Sequence, residues 1–226
     1  MELKEYLAIN FPGLMLKPSL YHQWEAGIHF VLGEGMDAFK SGIDELNLGR
    51  FNRVHNQALA IFNEVFSFED EIFLVTNVYQ PKAYRNRRQR TRVYDHYIKN
   101  KELKFHLKQE TLPYMFDDEE RHECYTSRFF LKCRKQDINY PLLIQATCNE
   151  DCHLKPKLGR VNGSYYPDVF FINVTKNIIF FIYDDRGCEV IASDKDTIRT
   201  LCEKYHDWVD GNYREEINRR FKLNYQ

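Results

Sequence analysis

A chain of 226 residues with 43% apolar and 15% aromatic side chains carries enough hydrophobic material for one sizeable core. Its 29% charged residues and formal net charge of −1 exclude a disordered chain and leave no long-range field for capturing polyanions. No apolar run approaches the ~20 residues that span a bilayer, and the start MELKEYLAINF has neither the basic nor the apolar region of a secretory signal, so a cytoplasmic location without membrane contact is expected.

Residues 1–9 read as a short helix stopped by Phe11-Pro12-Gly13, and 27–33 as a strand closed by glycine. Phe51, Val54, Ala58, Ile61, Phe62 and Val65 recur at helical spacing and predict an amphipathic helix over about 50–66. Residues 72–75, apolar on both faces, predict a central strand, and strand, helix, strand in that order predicts a right-handed crossover between parallel strands. A short helix is expected over 93–100, strands over 103–107, 112–116 and 125–133, and a helix from Pro141 to about Thr147. Residues 149–166 read as a long loop.

Three apolar runs, 169–174, 178–183 and 188–192, predict a β-meander. A helix follows, capped by Ser193 with acids in its first turn, presenting Ile198, Leu201, Cys202, Tyr205 and Val209 on one face and ending at Gly211. The expected architecture is therefore one α+β domain over 1–226, with an antiparallel or mixed central sheet. It has a strand-helix-strand portion over 1–80 and a carboxy-terminal meander with packing helices over 168–222.

Asp184-Asp185-Arg186-Gly187 joins the second and third strands of the meander. Two adjacent carboxylates suit a hard cation, and an arginine beside them suits a phosphate. The turn chemistry is sufficient by itself. Asp184 can accept a bond from the backbone N–H two residues on, and Gly187 suits the left-handed position of a bulge. Neighbouring side chains in a turn diverge, so the stretch reads as structural, with no metal site.

Other candidates are weaker. Gly33-Glu34-Gly35 precedes its helix by some fifteen residues, too far for a dinucleotide fingerprint. The six cysteines (124, 133, 148, 152, 188 and 202) read as reduced structural thiols. Cys148-x3-Cys152-His153 is the one tight cluster, and it lacks the second pair of a zinc site. Adjacent Cys152 and His153 seldom give the geometry of a nucleophile and its base. His55 and His206 read as polar-face residues of their helices. No motif calls for a cofactor, and no catalytic set assembles.

Arg50 and Arg53 stand near a helix start, where cations oppose the dipole, so they mark either an internal salt bridge or a bound anion or acidic partner. Lys82, Arg85, Arg87, Arg88, Arg90 and Arg92 form a basic segment without an acid, and Asp117-Asp118-Glu119-Glu120 an acidic block. The basic segment fits a solvated loop or an acidic protein partner. Flanked by Tyr79, Tyr84 and Tyr94, it also fits nucleic acid, whose bases stack on aromatic rings.

Tyr183-Asp184-Asp185-Arg186-Gly187, then Val190-Ile191-Ala192, Leu201, Tyr205, Trp208 and Tyr213-Arg214-Glu215-Glu216-Ile217, resemble the bacterial family called domain of unknown function 3885. Leu48-Gly49-Arg50-Phe51 with Phe62-Asn63-Glu64-Val65-Phe66 resembles its amino-terminal helix, while Gly211-Asn212-Tyr213-Arg214 departs from its last motif. The resemblance implies no known enzyme activity and suggests a bacterial cytoplasmic protein. The expectation is a non-catalytic binding protein with a protein partner, of the toxin-neutralising immunity kind. A nucleic-acid-binding or nucleic-acid-processing protein using 82–92 is the alternative.

Overall fold

A computed structural model describes residues 1–84, 91–159 and 166–223. The expected meander forms β5 (Asp168–Asn173), β6 (Ile178–Asp184) and β7 (Gly187–Ala192), each antiparallel to the next. Thr175-Lys176-Asn177 makes the first turn, with Asn177 at a φ of 54°. Four further strands extend the meander on both sides: β1 (Gly27–Val31), β2 (Glu71–Pro81), β3 (Lys108–Pro113) and β4 (Cys124–Arg134). Among the described residues they complete one seven-stranded sheet in the order β1-β7-β6-β5-β2-β4-β3, antiparallel at every pairing.

Both faces of this sheet are covered, which is why its inner strands read as continuous apolar runs rather than alternating ones. Ile72, Leu74 and Val78 face one core with Phe171, Phe180 and Ile182. That core is closed by α3 (Leu48–Val65), α5 (Tyr140–Cys148), α6 (Lys195–Lys204) and α7 (Arg214–Phe221) through Phe62, Ile144, Ile198 and Ile217. Phe73, Val75, Phe170 and Phe181 face the other, under α1 (Leu3–Asn10) and the Phe11, Leu16 and Leu20 side chains that follow it. The short α2 (Leu20–Gln23) is fixed to β7 because Glu189 accepts a bond from the Leu20 backbone N–H at 2.7 Å.

Several expectations are corrected. β1 and β2 run in the same sense, but β7, β6 and β5 lie between them, so α3 does not link neighbouring parallel strands. Residues 103–107 are not a strand. Asn100 caps a 3-10 turn, Lys101–His106, by accepting from the Glu102 N–H at 3.0 Å. The strand expected at 112–116 is β3, displaced toward the amino terminus and ending at Pro113, which has no N–H to continue the ladder. Asp194, not Ser193, caps α6, accepting from the Asp196 N–H at 2.7 Å. That helix ends at Lys204, and a separate 3-10 turn, His206–Trp208, carries His206 and leads to the buried Val209.

The helix expected at 93–100 is α4 (Arg92–Tyr97). It buries Tyr94, whose hydroxyl lies 3.1 Å from the Leu74 carbonyl and 2.9 Å from that of Phe129. Tyr94 therefore offers no face for base stacking. Tyr79 donates its hydroxyl to Asp168 inside the sheet. Of the basic segment, Arg85, Arg87, Arg88 and Arg90 lie outside the described residues, as does the Tyr84 side chain. Lys82 is exposed and donates to the His122 carbonyl at 2.6 Å, just beyond the acidic block.

Candidate functional site

Asp184 pairs with Gly187, so Asp185 and Arg186 alone make the β6–β7 turn, and the register slips by one residue at Tyr183. Asp184 accepts the expected bond from the Arg186 backbone N–H at 2.7 Å. It also accepts from the Arg186 Nε at 2.8 Å and from Nη2, which fixes an otherwise exposed guanidinium.

Gly187 is required at this position, but not for the expected reason, because its φ is not positive. A Cβ there would meet the Phe30 carbonyl of β1 at 2.6 Å and the Tyr183 hydroxyl at 2.2 Å. Glycine makes room for that ring to cross the strand and reach His29, whose Nε2 lies 3.0 Å from Tyr183 Oη. His29 Nδ1 lies 3.0 Å from the Asp210 carboxylate. A carboxylate only accepts, so Nδ1 carries the proton and Nε2 accepts from the tyrosine. Burial holds His29 below its usual pKa against the pull of Asp210, and raises that of Tyr183. Gly187→Ala must dislodge this ring or the β1 backbone and should cost about 1–3 kcal/mol. Urea unfolding that finds less than about 0.5 kcal/mol, the scale of an unremarkable surface change, would refute the close-approach account.

Asp185 turns the other way, toward the first turn of α3. Arg50 donates through Nη1 to its carboxylate and through Nη2 to its backbone carbonyl at 3.2 Å, and both side chains are buried, at 8% and 10% exposure. The guanidinium also lies 5.5 Å from the Phe51 ring centroid. Of the two explanations for a cation at this helix start, the internal salt bridge holds for Arg50. Arg53 is exposed and donates to the Glu34 carbonyl at 3.3 Å. Arg92 opens α4, where its side chain packs beside Gly159.

The turn, the start of α3 and two loops enclose an open cleft of about 840 Å³. One wall is the loop before α3, a small hairpin held by the Phe39–Leu46 bridge and by Lys40 N–H donating to the Glu45 carbonyl at 2.8 Å. This loop and the following helix start leave Phe39, Ile43 and Leu48 at 50%, 55% and 55% exposure. Asp37, Asp44 and Asp151 stand around the cleft, and no cation among the described residues forms an ion pair with them.

Cys152 and His153 line the opposite wall, whereas Cys148 ends α5 inside the core. The sequence cluster is thereby split. Burial, with Asp185 and Asp151 nearby, pushes the Cys152 thiol up, so at neutral pH it is not the thiolate that nucleophilic catalysis needs. Among the described residues no three His, Cys, Asp or Glu side chains converge as metal ligands. His55 is half-buried rather than on an open face, with Nε2 3.0 Å from the Asn149 side-chain oxygen.

Motif turn, Arg50, Cys152 and His153, each unconvincing alone in the sequence, thus share one cleft. The family described as Domain of unknown function (DUF3885) matches residues 3–212. The chain belongs to that family. It is also 46% identical over 210 residues to a Bacillus subtilis (strain 168) protein described as "Uncharacterized protein YnaE", covering 93% of this chain and 98% of that one. No solved structure matches the chain. All of the cleft falls inside the stretch matched by DUF3885, while α7 lies beyond it. The apolar wall escaped sequence reading because Phe39 sits in a polar loop without helical or strand periodicity. That irregularity was the available signal.

Proposed function

We propose that this member of DUF3885 is a bacterial binding protein whose cleft holds a basic segment of a protein, anchored by an apolar side chain. One observation carries the reading: half-exposed Phe39 and Leu48 border the same opening as Asp37, Asp44 and Asp151. Exposed apolar groups beside unpaired charge of one sign suit a partner of the opposite charge, which the charges select and the apolar anchor retains. The protonated Cys152 argues against covalent chemistry here. A toxin with a basic working surface is one partner of this kind, and neutralising it is the finer form of the proposal. Nucleic acid is disfavoured at the cleft because its phosphates would meet carboxylates.

Photocrosslinking in the native host tests this. With p-benzoylphenylalanine at Phe39, a protein adduct is expected whose yield falls as salt is raised and on Asp37→Lys. The same probe at Ile9, 66% exposed on α1, provides the background. No protein adduct above that background, or an adduct with nucleic acid, would overturn the proposal.

A further inference from the structure

We infer that the cleft accepts the Lys101–His106 turn of a second copy of this chain, with Phe105 as the anchor. The inference rests on the cleft being a site for a basic, apolar-anchored segment, and it names one such segment. Phe105 is 90% exposed, more than any other large apolar side chain described. Leu103 and Leu107 on either side of it pack against the main core, so the ring is held outward between two fixed points. The turn is also braced by charge: Lys104 pairs with Asp95 at 2.9 Å, and Lys101 donates to the Asp95 carbonyl at 3.1 Å. Such a segment enters a site already ordered and loses little conformational freedom there.

Charge matches as well. Lys99, Lys101, Lys104 and Lys108 against Glu102 give residues 99–108 a net charge of +3 with His106 neutral; Lys104 is paired with Asp95 and Lys108 with Glu2, while Lys99 and Lys101 form no ion pair among the described residues. Asp37, Asp44, Glu45, Asp151 and Asp185 against Arg50 and Arg186 give the cleft lining −3 with His153 neutral. A volume of about 840 Å³ admits a phenyl ring and the adjoining ammonium groups. Knob and cleft are different surfaces of the same chain, so the contact is heterologous, and one intact knob with one intact cleft is enough to join two chains.

Sedimentation equilibrium decides the matter. Wild type at about 500 µM in low salt should show a mass above the 27.2 kDa of one chain, returning toward it as salt screens the contact. Phe105→Asp and Phe39→Lys should each weaken association at least tenfold, with unchanged circular dichroism because both side chains are exposed. An equimolar mixture of the two variants should form a dimer, since the first keeps its cleft and the second its knob. Wild type remaining at 27.2 kDa, a mixture that stays monomeric, or undiminished association of Phe105→Asp would each overturn the inference. A Phe39 adduct with another host protein would then leave the cleft reading standing, whereas no protein adduct would remove both.

Discussion

Asp185→Ala is expected to destabilise the protein by about 3–5 kcal/mol, the range for removing one partner of a buried ion pair. Among the described residues the carboxylate is the only side-chain acceptor paired with Arg50, and truncation leaves a buried guanidinium with the Asp185 carbonyl and the Phe51 ring as its described partners. The loss extends beyond the pair, because Arg50 ties α3 to the β6–β7 turn and both border the cleft. Asp184→Asn should cost far less, since an amide oxygen still accepts from the Arg186 N–H and the lost charge faces a guanidinium that is 71% exposed. Restoring apolar balance with Asp185→Leu plus Arg50→Met should recover much of the stability lost in Asp185→Ala. Urea unfolding with an unchanged slope gives the ranking. If Asp185→Ala cost no more than Asp184→Asn, the ion pair would not anchor the turn.

That pair marks the boundary of what the sequence discloses. Local chemistry was legible: runs apolar on both faces became β5, β6 and β7, and Asp184 capped its own turn as its position implied. The partner of Asp185 was not, because Arg50 stands 135 residues away and only the folded sheet brings them together. Gly187 shows a second limit. Glycine serves either a positive φ or a close approach, and composition does not separate the two. Leu103, Phe105 and Leu107 show a third, since their perfect alternation suggested a strand. The Asn100 cap instead starts a tight turn in which Leu103 and Leu107 point inward and Phe105 outward. The cleft required all three kinds of information at once. Its apolar wall, its ion pair and its acids come from loops whose relative placement no local pattern encodes.

Raising the pH from 6.5 to 8.5 should destabilise the fold by about 2 kcal/mol, allowing for the solvent that reaches such groups. Burial pushes Glu150 up to about 8, helped by Asp168, Asp151 and Asp184 and opposed by Lys157. It pushes Asp168 to about 7 against the hydrogen bond from Tyr79. It also pushes Glu189 to about 7 against the backbone N–H groups of Leu20 and Tyr21. The folded chain therefore keeps protons that the unfolded chain releases near pH 4–4.5, and stability falls from there until each folded pKa is passed. His29 and His55 work in the opposite sense, because burial lowers their pKa and the unfolded chain takes up their protons first. That effect is confined to pH below about 6.5, the ordinary histidine value, so above it the carboxyls set the slope. Glu150, the highest of the three, contributes most in this window. Glu150→Gln should flatten the profile and raise stability at pH 8.5, whereas Glu189→Gln should act mainly below pH 7.5. A wild-type stability that stayed level or rose between pH 6.5 and 8.5 would mean that these carboxyls are ionised in the folded protein throughout.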